Sequence, residues 1–126
     1  TNNVSWINGI GHHIIEKVDL LIGGEIIQSM TGEFIDIYTE LTIAASQKIG
    51  YYKMVGKSTE YNASSQTGAQ HLYIPLPFWF CQNISLAIPI IALQYAEVKL
   101  NIKFKNIKNK FFKLQIIFYQ YAYRKS

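Results

Sequence analysis

The sequence predicts a β-rich sandwich or barrel carrying one short helix. Residues 92–104 alternate apolar and polar side chains, as a strand with one packed and one wet face does. Gly23-Gly24 separates two β-favouring runs and supplies the positive φ of a tight hairpin. Only the window from Thr31 to Thr42 has helical spacing instead. A chain of 126 residues makes one domain at most, and a domain of that size buries about two-thirds of its unfolded surface, enough for a core without staples.

After Gly11, residues 12–22 read as a strand. Ile14, Val18, Leu20 and Ile22 share one face, with Glu16 as the exception, and His13, Lys17 and Asp19 share the other. Glu25–Gln28 returns as a short strand. Thr31 caps the helix, and Glu33 in its first turn suits the helix dipole. Phe34, Ile37, Tyr38 and Leu41 recur at i, i+3, i+4 and i+7, a stripe about three turns long. Asp36 and Glu40, opposite that stripe, are expected to face solvent. Residues 43–71 are polar and turn-rich, a long loop of the kind that is functional or mobile in compact domains. A surface or intersubunit loop is expected there, anchored by Met54 and Val55.

Pro75 and Pro77 cannot donate to a ladder, so Leu72–Cys81 is expected as an edge strand or a bent one. In residues 92–104, Ala92, Ala96, Val98, Leu100, Ile102 and Phe104 fall on one face, with Gln94 the lone polar member. Leu93, Tyr95, Glu97, Lys99, Asn101 and Lys103 occupy the other. Lys105–Lys110 makes a basic turn and Phe111–Tyr123 a last strand. The residues alone go no further than a β-rich sandwich or barrel of antiparallel strands.

Charge is unevenly distributed. Residues 1–97 hold four lysines against eight acids, whereas residues 98–126 hold eight basic side chains and no acid. Such a basic third suits a nucleic-acid or membrane edge, a solvated turn, or an acidic face on a neighbouring subunit. Tyr119, Tyr121 and Tyr123 share one face of the last strand, a rigid amphipathic surface suited to protein contacts or to stacked single-stranded bases. The plainer reading is a tyrosine-lined sheet covered by other parts of the subunit.

Little in the chain suggests chemistry. The single cysteine, Cys81, excludes an intrachain disulfide, fits a reducing compartment, and is expected as an inert buried thiol. His12 and His13 point to opposite faces of a strand and cannot easily chelate one ion with Glu16. The only other histidine is His71. No phosphate-binding G-x-x-x-x-G-K-[ST] or nucleophile G-x-S-x-G pattern occurs. The sequons at Asn3, Asn62 and Asn83 are assigned no function. No stretch reaches the roughly 18 uninterrupted apolar residues of a membrane span, and no basic n-region opens the chain, which is read as soluble.

Leu72-Tyr73-Ile74-Pro75-Leu76-Pro77-Phe78-Trp79-Phe80-Cys81-Gln82-Asn83 and the run Leu86–Ile102, LAIPIIALQYAEVKLNI, resemble two adjoining elements of the major capsid proteins of nucleocytoplasmic large DNA viruses. Upstream, Trp6–Val18 resembles the family's (Y/W)VNxIGHxLIxxV element, and Leu21–Ile27 resembles its IGG hairpin. Gly32–Thr42 resembles its GExLxIxxELT helix, and Gly50–Gly56 is similar to its GYxxMVG loop. Gln82 stands where a basic residue is frequent, and Ile84-Ser85 replaces a Pro-Gly type turn.

The resemblance implies an all-β antiparallel jelly roll: residues 1–126 as the first roll of a double jelly roll, missing its first strands, with one inserted helix and no second roll. It implies a structural protein of the virion, assembled in the host cytoplasm as homotrimeric pseudo-hexagonal capsomers of an icosahedral shell. The implied partners are neighbouring capsomers, minor capsid and penton proteins and the internal viral membrane, with no specific nucleic acid. No catalytic residue, metal or cofactor is expected. Candidate intersubunit or surface contacts are Tyr51, Tyr52, Lys105, Lys108, Lys110, Tyr119, Tyr121 and Tyr123. The competing reading is a free-standing β-sandwich that binds nucleic acid or anionic membrane through the basic third. A lectin-like jelly roll ranks below both, because no sugar-binding cluster is visible.

Overall fold

A computed structural model of the chain describes residues 6–59 and 70–106. Three strands, β1 (Ile15–Ile22), β2 (Glu25–Thr31) and β3 (Val98–Phe104), form one antiparallel sheet in the order β2-β1-β3. Among the described residues four α-helices accompany it: α1 (Ile10–His13), α2 (Gly32–Thr42), α3 (Ala45–Val55) and α4 (Trp79–Gln82).

The β1–β2 hairpin forms where Gly23-Gly24 placed it, with φ of 63° and 89° at the two glycines, conformations costly for residues bearing a Cβ. Its pairing runs from Ile22 opposite Glu25 to Lys17 opposite Thr31, with a shift in register beside Leu20 and Leu21. Gly23 N–H also donates to the Glu97 carbonyl at 3.0 Å, tying the hairpin turn to the approach of β3. On β3 the expected alternation holds at the centre, where Leu100 and Ile102 turn inward while Lys99, Asn101 and Lys103 stay exposed, but Val98 and Phe104 of the expected inner face are exposed too.

The core gathers Ile14, Ile15, Val18 and Leu20 with Met30, Ile35 and Phe78. Ile74, Leu76, Trp79, Phe80, Leu100 and Ile102 pack around it. The polar positions of the sheet carry ion pairs instead, Lys17 with Asp19 and Lys103 with Glu16, and Ser29 donates to Asp19. This division of apolar from polar side chains is what a sheet with one solvated face requires.

Several elements differ from expectation. The predicted 12–22 strand starts only at Ile15, because Gly9, at φ 72°, turns the chain into the single helical turn of α1. Leu72–Phe78 takes no regular structure and joins no ladder, turning tightly where Phe78 N–H donates to the Leu76 carbonyl at 2.9 Å, and the expected strand ends in α4. Pro75 and Pro77 remove two donors, and Phe78 is fixed by burial rather than by pairing. A 3₁₀ turn at Ile84–Leu86 precedes this region, and a second at Ile90–Leu93 runs into the first part of the predicted 92–104 strand, which begins only at Val98. The Ala96 N–H bond to the Leu93 carbonyl, 3.1 Å, closes the second of these regions.

Two long helices occur where one was expected. Residues 45–55, read as loop, form α3 despite weak amphipathicity and Gly50 at their centre. Tertiary contact decides the matter: Val55 is completely buried, and Gly56, at φ 70°, ends the helix with its N–H and that of Lys57 on the Tyr52 carbonyl. The α2 helix begins as predicted, with the Thr31 hydroxyl accepting from Phe34 N–H at 3.2 Å. Its rotation differs, however. Gly32, Ile35 and Thr39 face inward, while Phe34, Ile37 and Leu41 of the predicted stripe are exposed, Leu41 by 81%. The cause is Gly32, whose bare Cα lies against the carbonyls of His12 and Ile15. That close approach selects the face containing Ile35, Asp36 and Thr39, at i+3, i+4 and i+7 from the glycine.

Of the expected antiparallel β architecture, the described residues show a small three-stranded sheet, and the single short helix expected is corrected to two, α2 and α3.

Candidate functional site

The rotation of α2 creates a polar hub between α1, α2 and α3. His12, only 3% exposed, has both ring nitrogens engaged. Nδ1 lies 2.9 Å from Asp36 Oδ1 and Nε2 lies 2.7 Å from the Tyr51 hydroxyl. A carboxylate can only accept, so Nδ1 carries the proton and donates to Asp36, and with the ring neutral Tyr51 donates to Nε2. Thr39 donates to the Ile35 and Asp36 carbonyls at 2.8 and 2.9 Å, so its hydroxyl has partners although it is buried.

One turn along α2, Glu40 gathers the second half. Lys57 donates to Oε1 at 2.6 Å, and the Tyr52 hydroxyl lies 2.8 Å from Oε1 and 3.0 Å from Oε2. Lys48 reaches Oε2 at 3.4 Å. Lys57 also lies 3.5 Å from Asp36 Oδ1 and stands over the Tyr52 ring, 5.1 Å from its centroid, thereby joining the two halves. Hydrogen bonds from Lys57 and then Tyr52 hold the Glu40 carboxyl down to about 2. Its acceptance from Tyr52 pushes that phenol above its ordinary value, and burial pushes Tyr51 up.

Backbone geometry fixes the ends of the hub. Asn8 Nδ2 donates to the Ser58 carbonyl at 3.1 Å and its Oδ1 accepts Ser58 N–H at 2.8 Å. Gly9 N–H donates to the Gly56 carbonyl at 3.1 Å. Gly11 leaves room for the end of α3, since a Cβ there would stand 2.9 Å from the Val55 carbonyl oxygen. The hub therefore fastens the helices to the chain ahead of the sheet. Its polar groups are spent on one another, an arrangement suited to rigidity rather than to attacking a substrate.

Asp36 and Glu40, expected to face solvent, are the centre of this network. Their spacing of four residues puts them on one side of α2, and the detectable signal was Gly32 completing that same series. His12 and His13 do diverge, His12 buried and His13 exposed, while Glu16 pairs with Lys103 and His71 lies exposed elsewhere. Among the described residues no group of three His, Cys, Asp or Glu side chains is placed to hold a metal ion. Cys81, expected to be buried, is exposed on α4. Partial desolvation raises its thiol above the ordinary value, with a weaker opposing effect from the Phe78 backbone.

Of the candidate contact residues, Tyr51 and Tyr52 are half-buried, and their hydroxyls are committed to His12 and Glu40. Lys105 pairs with Glu33 at 2.5 Å, and its N–H donates to the Ile14 carbonyl at 3.0 Å. Lys99 pairs with Glu97 at 3.0 Å and Lys103 with Glu16 at 2.6 Å, so the lysines of the basic third that are described have acidic partners in the chain. Lys108, Lys110, Tyr119, Tyr121 and Tyr123, with the predicted strand Phe111–Tyr123, lie outside the described residues.

Comparison with known proteins gives this architecture a context. Residues 1–121 match the family model for the major capsid protein N-terminus. The major capsid protein of Phaeocystis pouchetii virus is 35% identical over 82% of this chain, and that of Pyramimonas orientalis virus is 41% identical over 75%. The chain spans 24% of the length of each. Among solved structures, PBCV-1 VP54 fitted into a cryo-EM reconstruction of the virophage Sputnik superposes with a TM-score of 0.67. Its identity is 31%, over 77% of this chain and 23% of that one. The small sheet with its helices thus matches the fold of a viral capsid protein. On sequence and fold alike, the chain belongs to the major capsid protein family of large DNA viruses.

Proposed function

We propose that this chain is part of a structural subunit of an icosahedral virion shell, contributing a section of the first of two jelly rolls. The observation that carries the reading is the agreement in fold with a capsid protein over 77% of the chain at 31% identity. The hub supports it, because it commits the carboxylates and the buried histidine to bracing helices against a sheet. A shell subunit needs such stiffness: each interface can be modest when many repeated contacts close together, provided the geometry is fixed. The protein acts by assembly rather than by catalysis. Homotrimeric capsomers, contacts with neighbouring capsomers, minor capsid and penton proteins, and an underlying membrane complete the proposal.

Binding of nucleic acid or anionic lipid through the basic third is the less favoured reading, since Lys99, Lys103 and Lys105 already have acidic partners. The test is to express the complete reading frame and measure its mass in solution across concentration, followed by electron microscopy of the product. Trimers that tile into sheets or shells are the expected result. A monomer that instead binds oligonucleotides or anionic vesicles in a salt-sensitive way would overturn the proposal.

A further inference from the structure

We draw no further inference here: the strongest candidate, the cavity of about 210 Å³ lined by His12, His13, Glu33, Asp36 and Ile37 beside the start of α2, belongs to the site already described, where both ring nitrogens of His12 are satisfied within the chain.

Discussion

Gly32 presses against His12 so closely that a Cβ on the glycine would stand 2.2 Å from the His12 carbonyl oxygen, and 2.4 Å from that of Ile15. Both obstacles are backbone, so neither can swing aside as a side chain would. Gly32→Ala should therefore destabilise the fold by at least about 1–3 kcal/mol, the usual cost of overpacking. Gly50, inside α3, has no such neighbour within 4 Å. Gly50→Ala should instead stabilise by about 0.5–1 kcal/mol through the ordinary helix preference for alanine. Denaturant unfolding of the two variants distinguishes a steric requirement from a mere tolerance of glycine. Equal and small effects would mean that the rotation of α2 is fixed elsewhere.

The adjacent histidines give a second contrast. Removing the His12 ring leaves a void and strips partners from Asp36 and Tyr51. His12→Ala should cost about 2–4 kcal/mol, chiefly the cavity left by a buried side chain together with the lost partner of half-buried Tyr51, since partly exposed Asp36 keeps Lys57. His13 is exposed, and His13→Ala should fall within about 0.5 kcal/mol of the parent. A double-mutant cycle between His12 and Asp36 should show coupling, because the two share a 2.9 Å hydrogen bond. Additive losses would mean that the contact contributes nothing of its own.

Local signals in the sequence located what depends on neighbours in the chain. The Gly23-Gly24 turn, the Thr31 cap and the alternation of Leu100 and Ile102 all sit where their chemistry put them. The side of α2 that faces inward did not follow from its apolar stripe, since burial of that stripe yielded to the approach of Gly32 to two distant carbonyls. Likewise, α3 carries no strong periodicity, and what holds it is Val55 and the Glu40 network on another helix. Position-by-position reading of Asp36 and Glu40 as solvated missed the hub because their partners are His12, Lys57 and two tyrosines elsewhere in the chain. Pro75 and Pro77 signalled a break in the ladder, but whether the chain would bend or leave the sheet depended on where Phe78 found its pocket.

Cys81 supplies a third test. It is exposed, yet its thiol is raised by desolvation from the ordinary value. A maleimide or disulfide reagent should label it in the folded chain, slowly near neutral pH, because only the thiolate attacks. The rate should keep rising with pH beyond the range of a free cysteine. Labelling that requires denaturant would instead place the sulfur in the core, where the apolar residues around it in sequence had suggested it belongs.

Acid should release the second half of the hub. Glu40 titrates near 2 in the folded chain against an ordinary 4.5. A carboxyl lowered on folding contributes stability that is complete above the ordinary value and is lost as the pH falls towards the folded one. The melting temperature should therefore decline between about pH 4.5 and pH 2, as protonation takes Glu40 away from Lys57 and Tyr52. Glu40→Gln retains the shape but cannot ionise, so it should lower stability at neutral pH and flatten that decline. Asp19 and Glu33 are also lowered, by Ser29 with Lys17 and by Lys105 respectively, and they account for the slope that remains in the variant. An undiminished slope in Glu40→Gln would assign the acid sensitivity to those exposed pairs and leave the Lys57–Glu40 contact without a part in it.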